Sequence, residues 1–258
     1  MKTSHFFHSK RFVLLLRNDL LRNYRTMLVS AGAVAALYFV ITLPPIFFSR
    51  GSTSPDFHLG LYPALLFIGG FILSSSAFSE IHHSQKNTSF FMLPASIFEK
   101  MVSKLLLTTI GYVPASILLY YLLTVTTSGI AAIFTGWSFP AFNPFNREIL
   151  LSVAIYLVTQ SMFLFGGLYF KNHPLMKTLF SQFAITFVLS IFAFLVVRIV
   201  YRDFFHGMRF IDEFMFNDMV SFEHLGKNLA TIFKYLFWIC FAPYFWILSY
   251  LRLGETEV

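Results

Sequence analysis

Apolar and polar positions alternate in long blocks along this chain. Six stretches contain no Asp, Glu, Lys, Arg or His: 27–48, 59–78, 105–125, 149–170, 179–197 and 235–251. A helix rises about 1.5 Å per residue, so roughly 20 residues cross the ~30 Å hydrocarbon core of a bilayer. Each stretch has about that length. The pattern predicts an all-α membrane protein with six transmembrane helices. One or two such stretches would fit the core of a soluble protein, but six would not. Composition changes the picture little: 57% of the 258 residues are hydrophobic, 35 are Phe, and only 12% are charged, against about 25% in soluble domains.

Charge decides orientation. The net charge of +7 is spread unevenly. Lys2, Lys10, Arg11, Arg17, Arg22 and Arg25 precede the first span. Lys86, Lys100, Lys104, Lys171, Lys177 and Arg252 fall on the same side. Arg50, Arg147, Arg198, Arg202, Arg209, Lys227 and Lys234 fall on the other. Basic residues favour the cytoplasmic side, which predicts cytoplasmic N- and C-termini. The distribution argues for lipid rather than nucleic acid as the partner of this charge. No cleavable signal peptide is expected, because Ser30 to Ala33 begin the first stretch instead of following it. Cys240 is the lone cysteine, so neither an intrachain disulfide nor a cysteine metal cluster is possible.

The segments between spans carry their own patterns. In residues 1–26, Arg11, Asn18, Arg22 and Arg25 share one helical face. Phe12, Val13, Leu16, Leu20, Leu21 and Tyr24 share the other. This predicts an amphipathic helix in the inner interface, with Arg17 snorkelling to headgroups. The plainer alternative is a basic flank that only sets topology. Spans one and two occupy 27–78, and a polar loop follows at 79–104. In that loop Pro94 ends any preceding helix. Ser96 and Glu99 form a capping box for a new helix into the third span. Phe90, Phe91, Met92 and Leu93 form an apolar patch, suited either to an interaction site or to the membrane surface. Spans three to five fill 105–197. Within them, 126–148 reads as an aromatic loop folded on the outer leaflet, with Trp137, Phe139, Phe142 and Phe145. The outer loop 198–234 should hold short helices, with Phe210, Ile211, Phe214 and Met215 on one face. Span six and a tail complete the chain at 235–258.

The loop 79–104 also carries a family likeness. Glu80 at the end of the second span, Asn87-Thr88, Leu93-Pro94-Ala95-Ser96 and Lys104 opening the third span resemble the pattern of membrane subunits of type-2 ABC exporters. Family members more often have Gly-Thr at Asn87-Thr88 and Arg at Ile81. The resemblance implies a permease in the bacterial cytoplasmic membrane, working with a separate ABC ATPase and with a second copy of itself or a related permease. It implies that this loop is the ATPase-coupling element, through Glu80, Asn87, Thr88, Phe91, Leu93, Pro94, Ser96 and Lys104. It also implies that Phe210, Ile211, Phe214 and Met215 form an outer gate.

Other chemistry is sparse. There is no G-x-x-x-x-G-K-[ST], so ATP cannot bind this chain through a P-loop. There is no G-x-S-x-G and no H-E-x-x-H. No catalytic residue, cofactor or metal site is expected, and His82-His83 reads as a solvated or partner-facing pair. Gln160, midway along the fourth stretch, suits helix–helix hydrogen bonding. Carriers driven by ion gradients usually keep an ionisable group at membrane depth, and these stretches hold none. Two other classes stay open: a membrane-embedded enzyme acting on lipid or peptide, and a non-transporting scaffold or sensor subunit.

Overall fold

The computed structural model describes residues 7–48, 56–82, 95–136, 140–200, 231 and 233–256. Most of these residues are helical, with no strand among them. Helices α1 (Ser9–Phe48), α2 (Phe57–Ser76) and the short α3 (Ser79–His82) open the chain. Next come α4 (Ile97–Leu106), one π turn (Leu107–Gly111) and α5 (Tyr112–Thr135), which run on as one rod. Helices α6 (Arg147–Tyr169), α7 (Pro174–Val200) and α8 (Ala242–Thr256) follow, the last preceded by a π turn (Leu236–Phe241). Among the described residues, six helical segments are long and apolar enough to cross a membrane: Met27–Phe48, Phe57–Ser76, Ile97–Thr135, Arg147–Tyr169, Pro174–Val196 and Phe233–Thr256. By length and composition this is a multi-pass membrane protein.

Helix α6 is the hub. It packs most extensively on α2, then on α8 and α7, while α1 lies on α5 and α4. Sequence explains the α2–α6 contact. A Cβ on Gly167 would fall on the backbone carbonyl of Ser75, and the Thr178 side chain fills the space over Gly166. Small residues let helix backbones approach where lipid supplies no hydrophobic push. Gln160 is fully buried in this seam, and its Oε1 accepts a hydrogen bond from Ser74 Oγ at 3.1 Å. The helix–helix role read from sequence is what it performs.

Two features differ from the sequence reading. The first is the stretch 126–148. Helix α5 continues to Thr135 and stops at Gly136, whose φ of 71° is left-handed, a conformation cheap only for glycine. From Pro140 on, the chain packs against the bundle. Phe142, expected on the outer leaflet, is only 3% exposed. Its ring centroid lies 4.7 Å from that of Tyr120 and 5.1 Å from that of Tyr62. An aromatic ring gains more from packing among tyrosines than from lipid alone, because ring edges and faces pair. Phe145 does remain exposed, and Trp137 and Phe139 lie outside the described residues.

The second is α1. No interruption separates an interface helix from the first span, and the helix runs through residues 26 and 27 as part of one 40-residue element. Its outer turns expose Val13, Leu14, Leu20, Leu21 and Tyr24, while Leu15 and Asp19 face inward and are buried.

The π turn before α5 has a local cause. Thr108 and Thr109 hydroxyls bond back to the carbonyl of Leu105 at 3.1 and 2.7 Å. Such back-bonding competes with the regular ladder. The Thr108 carbonyl is taken by the Tyr156 hydroxyl at 2.8 Å, so α6 secures the irregular turn of its neighbour.

Candidate functional site: the base of the bundle

One end of the bundle gathers the start of α1, the end of α2, α3, α4, and the junction of α6 with α7. Here the ends of the loop 79–104 are fixed. Lys104 and Asp19 are buried together, with Nζ to Oδ1 at 3.0 Å and side chains 7% exposed on each side. Ser103 Oγ donates to the other carboxylate oxygen of Asp19 at 3.0 Å. A buried ion pair holds only when its geometry is good and its remaining lone pairs are satisfied. The carboxylate meets this, since each Asp19 oxygen has a donor.

Glu80, at the opposite end of the loop, pairs with Arg22 at 3.3 Å. Asp19 and Arg22 lie one turn apart on α1. Glu80 and Lys104 are far apart in sequence, yet they are tied to neighbouring turns of one helix. The Glu80 pair is more open, with Arg22 35% exposed, so it holds less firmly than the buried pair.

A third tie lies further out. Ser96 caps α4: its Oγ accepts from Glu99 N at 3.1 Å, and Ser96 N donates to Glu99 Oε2 at 2.9 Å. This is the capping box read from the sequence. The structure adds that the other oxygen of Glu99 faces α1. It accepts from the backbone N–H of His8 at 2.6 Å and pairs with Arg11 at 3.4 Å. Glu99 is fully buried, and its carboxylate closes both the cap and the contact to α1.

His82, read from sequence as half of a solvated or partner-facing pair, is bonded within the chain. Its Nε2 lies 3.0 Å from the carbonyl of Gly167. A carbonyl only accepts, so Nε2 carries the proton and donates. This bond fastens α3 to α6 beside the α2–α6 seam. No cluster of three His, Cys, Asp or Glu that could hold a metal occurs among the described residues.

Of the positions marked in the sequence, Glu80, Ser96 and Lys104 are described, and all three bear on α1 directly or through Glu99. Asn87, Thr88, Phe91, Leu93 and Pro94 lie outside the described residues, as do Phe210, Ile211, Phe214 and Met215. The sequence reading missed Asp19. A signal was present, because Asp19 is the sole acid in the first 48 residues, within an otherwise basic segment. It also began the second span at Leu59 and so left out His58. That residue is buried in the first turn of α2, with Nε2 2.9 Å from the Pro140 carbonyl and Nδ1 2.9 Å from the Tyr120 hydroxyl.

No protein-family model matches this chain, and neither do any curated proteins or solved structures.

Proposed function

We propose that this chain is the permease subunit of an ATP-driven ABC exporter, with cytoplasmic termini and a separate ATPase docked on the loop 79–104. The observation that carries this reading is the double tether of that loop. Arg22 holds Glu80 and Asp19 holds Lys104 on adjacent turns of α1. A push on a loop held at both ends moves α1, α2 and α4 as one body instead of being absorbed by slack chain. The first turns of α1 support the interface role. Their inward face carries Leu15 and Asp19, and their outward face carries exposed apolar residues, as a helix resting on lipid headgroups requires. In the same reading Phe91 and Leu93 anchor the ATPase, and two permease copies, or this chain and a related one, enclose the pathway. Phe210, Ile211, Phe214 and Met215 close its outer mouth. The membrane is the bacterial cytoplasmic membrane.

Co-purification tests this. The tagged chain should bring down an ABC ATPase. Phe91→Ala with Leu93→Ala should release the ATPase while the chain still inserts and folds, because a few apolar anchors usually carry an interface, at ~2 kcal/mol or more each. Glu80→Ala should keep the ATPase bound but lower its stimulation. If the ATPase binds and is stimulated normally in all of these variants, the loop is not the coupling element.

A further inference from the structure

His58 and Pro140 stand 82 residues apart in the chain and meet at the end of α2 away from the loop 79–104. His58 lies in the first turn of α2 and Glu80 follows its last turn, so about 30 Å of helix separates the two. The imidazole is only 3% exposed. Its Nε2–H donates to the Pro140 carbonyl at 2.9 Å, and its Nδ1 accepts from the Tyr120 hydroxyl at 2.9 Å. Three parts of the chain therefore meet on one ring: α2 through His58, α5 through Tyr120, and the connection from α5 to α6 through Pro140. Phe142 packs against the same ring, with centroids 6.0 Å apart.

Neutral imidazole carries one donor and one acceptor, and this site uses both. A second proton turns Nδ1 into a donor as well. It would then face a hydroxyl that is already donating to it, and that bond is lost. For the hydroxyl to accept instead, its own hydrogen would need a new acceptor among the rings of Tyr38, Tyr62 and Phe142 that pack on Tyr120. The titratable groups in this cluster besides His58 are those phenols, which stay protonated in acid. Among the described residues, the charged groups at the adjoining helix ends are Asp56, Arg147 and Glu148, and all three are exposed. A buried charge is tolerated where an opposite charge meets it, and both ring nitrogens meet neutral partners.

We propose that His58 is an acid-released latch that fastens the segment 140–146 to α2 and α5. The closed latch holds one ring proton. Once the segment lifts and water reaches the ring, the imidazole takes up a second one at a pH below about 6.5. Opening and proton uptake are linked, so acid shifts the balance toward the open form. Opening uncovers the seat of Phe142 between Tyr62 and Tyr120. It frees the connection between α5 and α6 and leaves the ion pairs of Asp19 and Arg22 at the other end of the bundle in place. The latch does not rest on the proposed function. Its sidedness is immaterial to the test, because both faces of a nanodisc meet the same buffer.

Amide hydrogen exchange of the full chain in nanodiscs, followed between roughly pH 8 and pH 5, tests this. Each rate is compared with the intrinsic rate at the same pH, so that only opening is read. The reporters are the amides of 140–146, where Phe145 N donates to Asn143 Oδ1 and Asn146 N to the Asn143 carbonyl. Their protection should fall about tenfold or more over this range, while protection in the middle of α6 holds. His58→Gln, whose amide donates and accepts at every pH, should show no such fall. His82→Gln, at the other end of the bundle, should keep it. If His58→Gln does not fold, the unaltered chain, His82→Gln and the α6 reference still decide the matter. Unchanged protection across the range, the same fall in His58→Gln, loss of the fall in His82→Gln, or an equal fall along α6 overturns the latch.

Discussion

Lys104 donates to Asp19 at 3.0 Å across 85 residues of chain, with both side chains almost wholly out of solvent. The pair joins the start of the third span to the first turns of α1. Its charges are cheap only in each other's presence. Lys104→Met leaves a buried carboxylate with Ser103 as its remaining donor. Removing one partner of such a pair typically costs ~3–5 kcal/mol. Replacing both, as in Asp19→Leu with Lys104→Met, removes the uncompensated charge and should recover most of that loss. Unfolding midpoints in nanodiscs check this: the single variant should fall well below the double. If the two unfold alike, the pair is not the joint between α1 and α4.

The glycines of α6 offer a contrast within one protein. Gly167→Ala would drive a Cβ into the Ser75 carbonyl, and backbone cannot swing aside as a flexible side chain can. Helices α2 and α6 would have to separate, at ~1–3 kcal/mol. Gly129→Ala, in α5, meets nothing within 4 Å and replaces a poor helix former by the best one, a change of about 1 kcal/mol in favour of the helix. The same thermal measurement should therefore move in opposite directions for the two substitutions.

The segment 140–146 is held by one ring and one hydrogen-bonded chain. Phe142 fills the space among Tyr62, Tyr120 and His58. The Pro140 carbonyl can only accept, so His58 Nε2 carries the proton, and its Nδ1 accepts from the Tyr120 hydroxyl. Phe142→Ala should cost ~3 kcal/mol through the cavity it leaves. Tyr120→Phe should cost about 1 kcal/mol for the lost bond. In both variants amide hydrogen exchange across 140–146 should accelerate while α7, which does not touch this cluster, keeps its rate. Unchanged exchange at 140–146 would show that the segment is held by something else.

The sequence by itself determined the elements whose cause is local. Length and unbroken apolarity make a span, whatever packs on it, so all six were legible, and the first ends where helix α1 ends, at Phe48. The Ser96–Glu99 box was legible because both partners sit within one turn. Gln160 was legible because an amide within a span favours a bond to a neighbouring helix, and its Oε1 meets Ser74. The tertiary structure alone decided the rest. Helical periodicity placed Arg11 and Arg22 on one face but could not say that Glu99 and Glu80 would meet them, since those partners are fixed by how distant helices cross. Asp19 looked like one acid in a basic tail until α4 brought Lys104 beside it. Phe142 carries the same side chain as Phe145, yet one is buried and the other exposed. Hydropathy cannot separate them, because an apolar ring is accepted equally by lipid and by a pocket of tyrosines. What separates them is that Tyr62, Tyr120 and His58, from two other helices, leave a ring-sized space at one and not at the other.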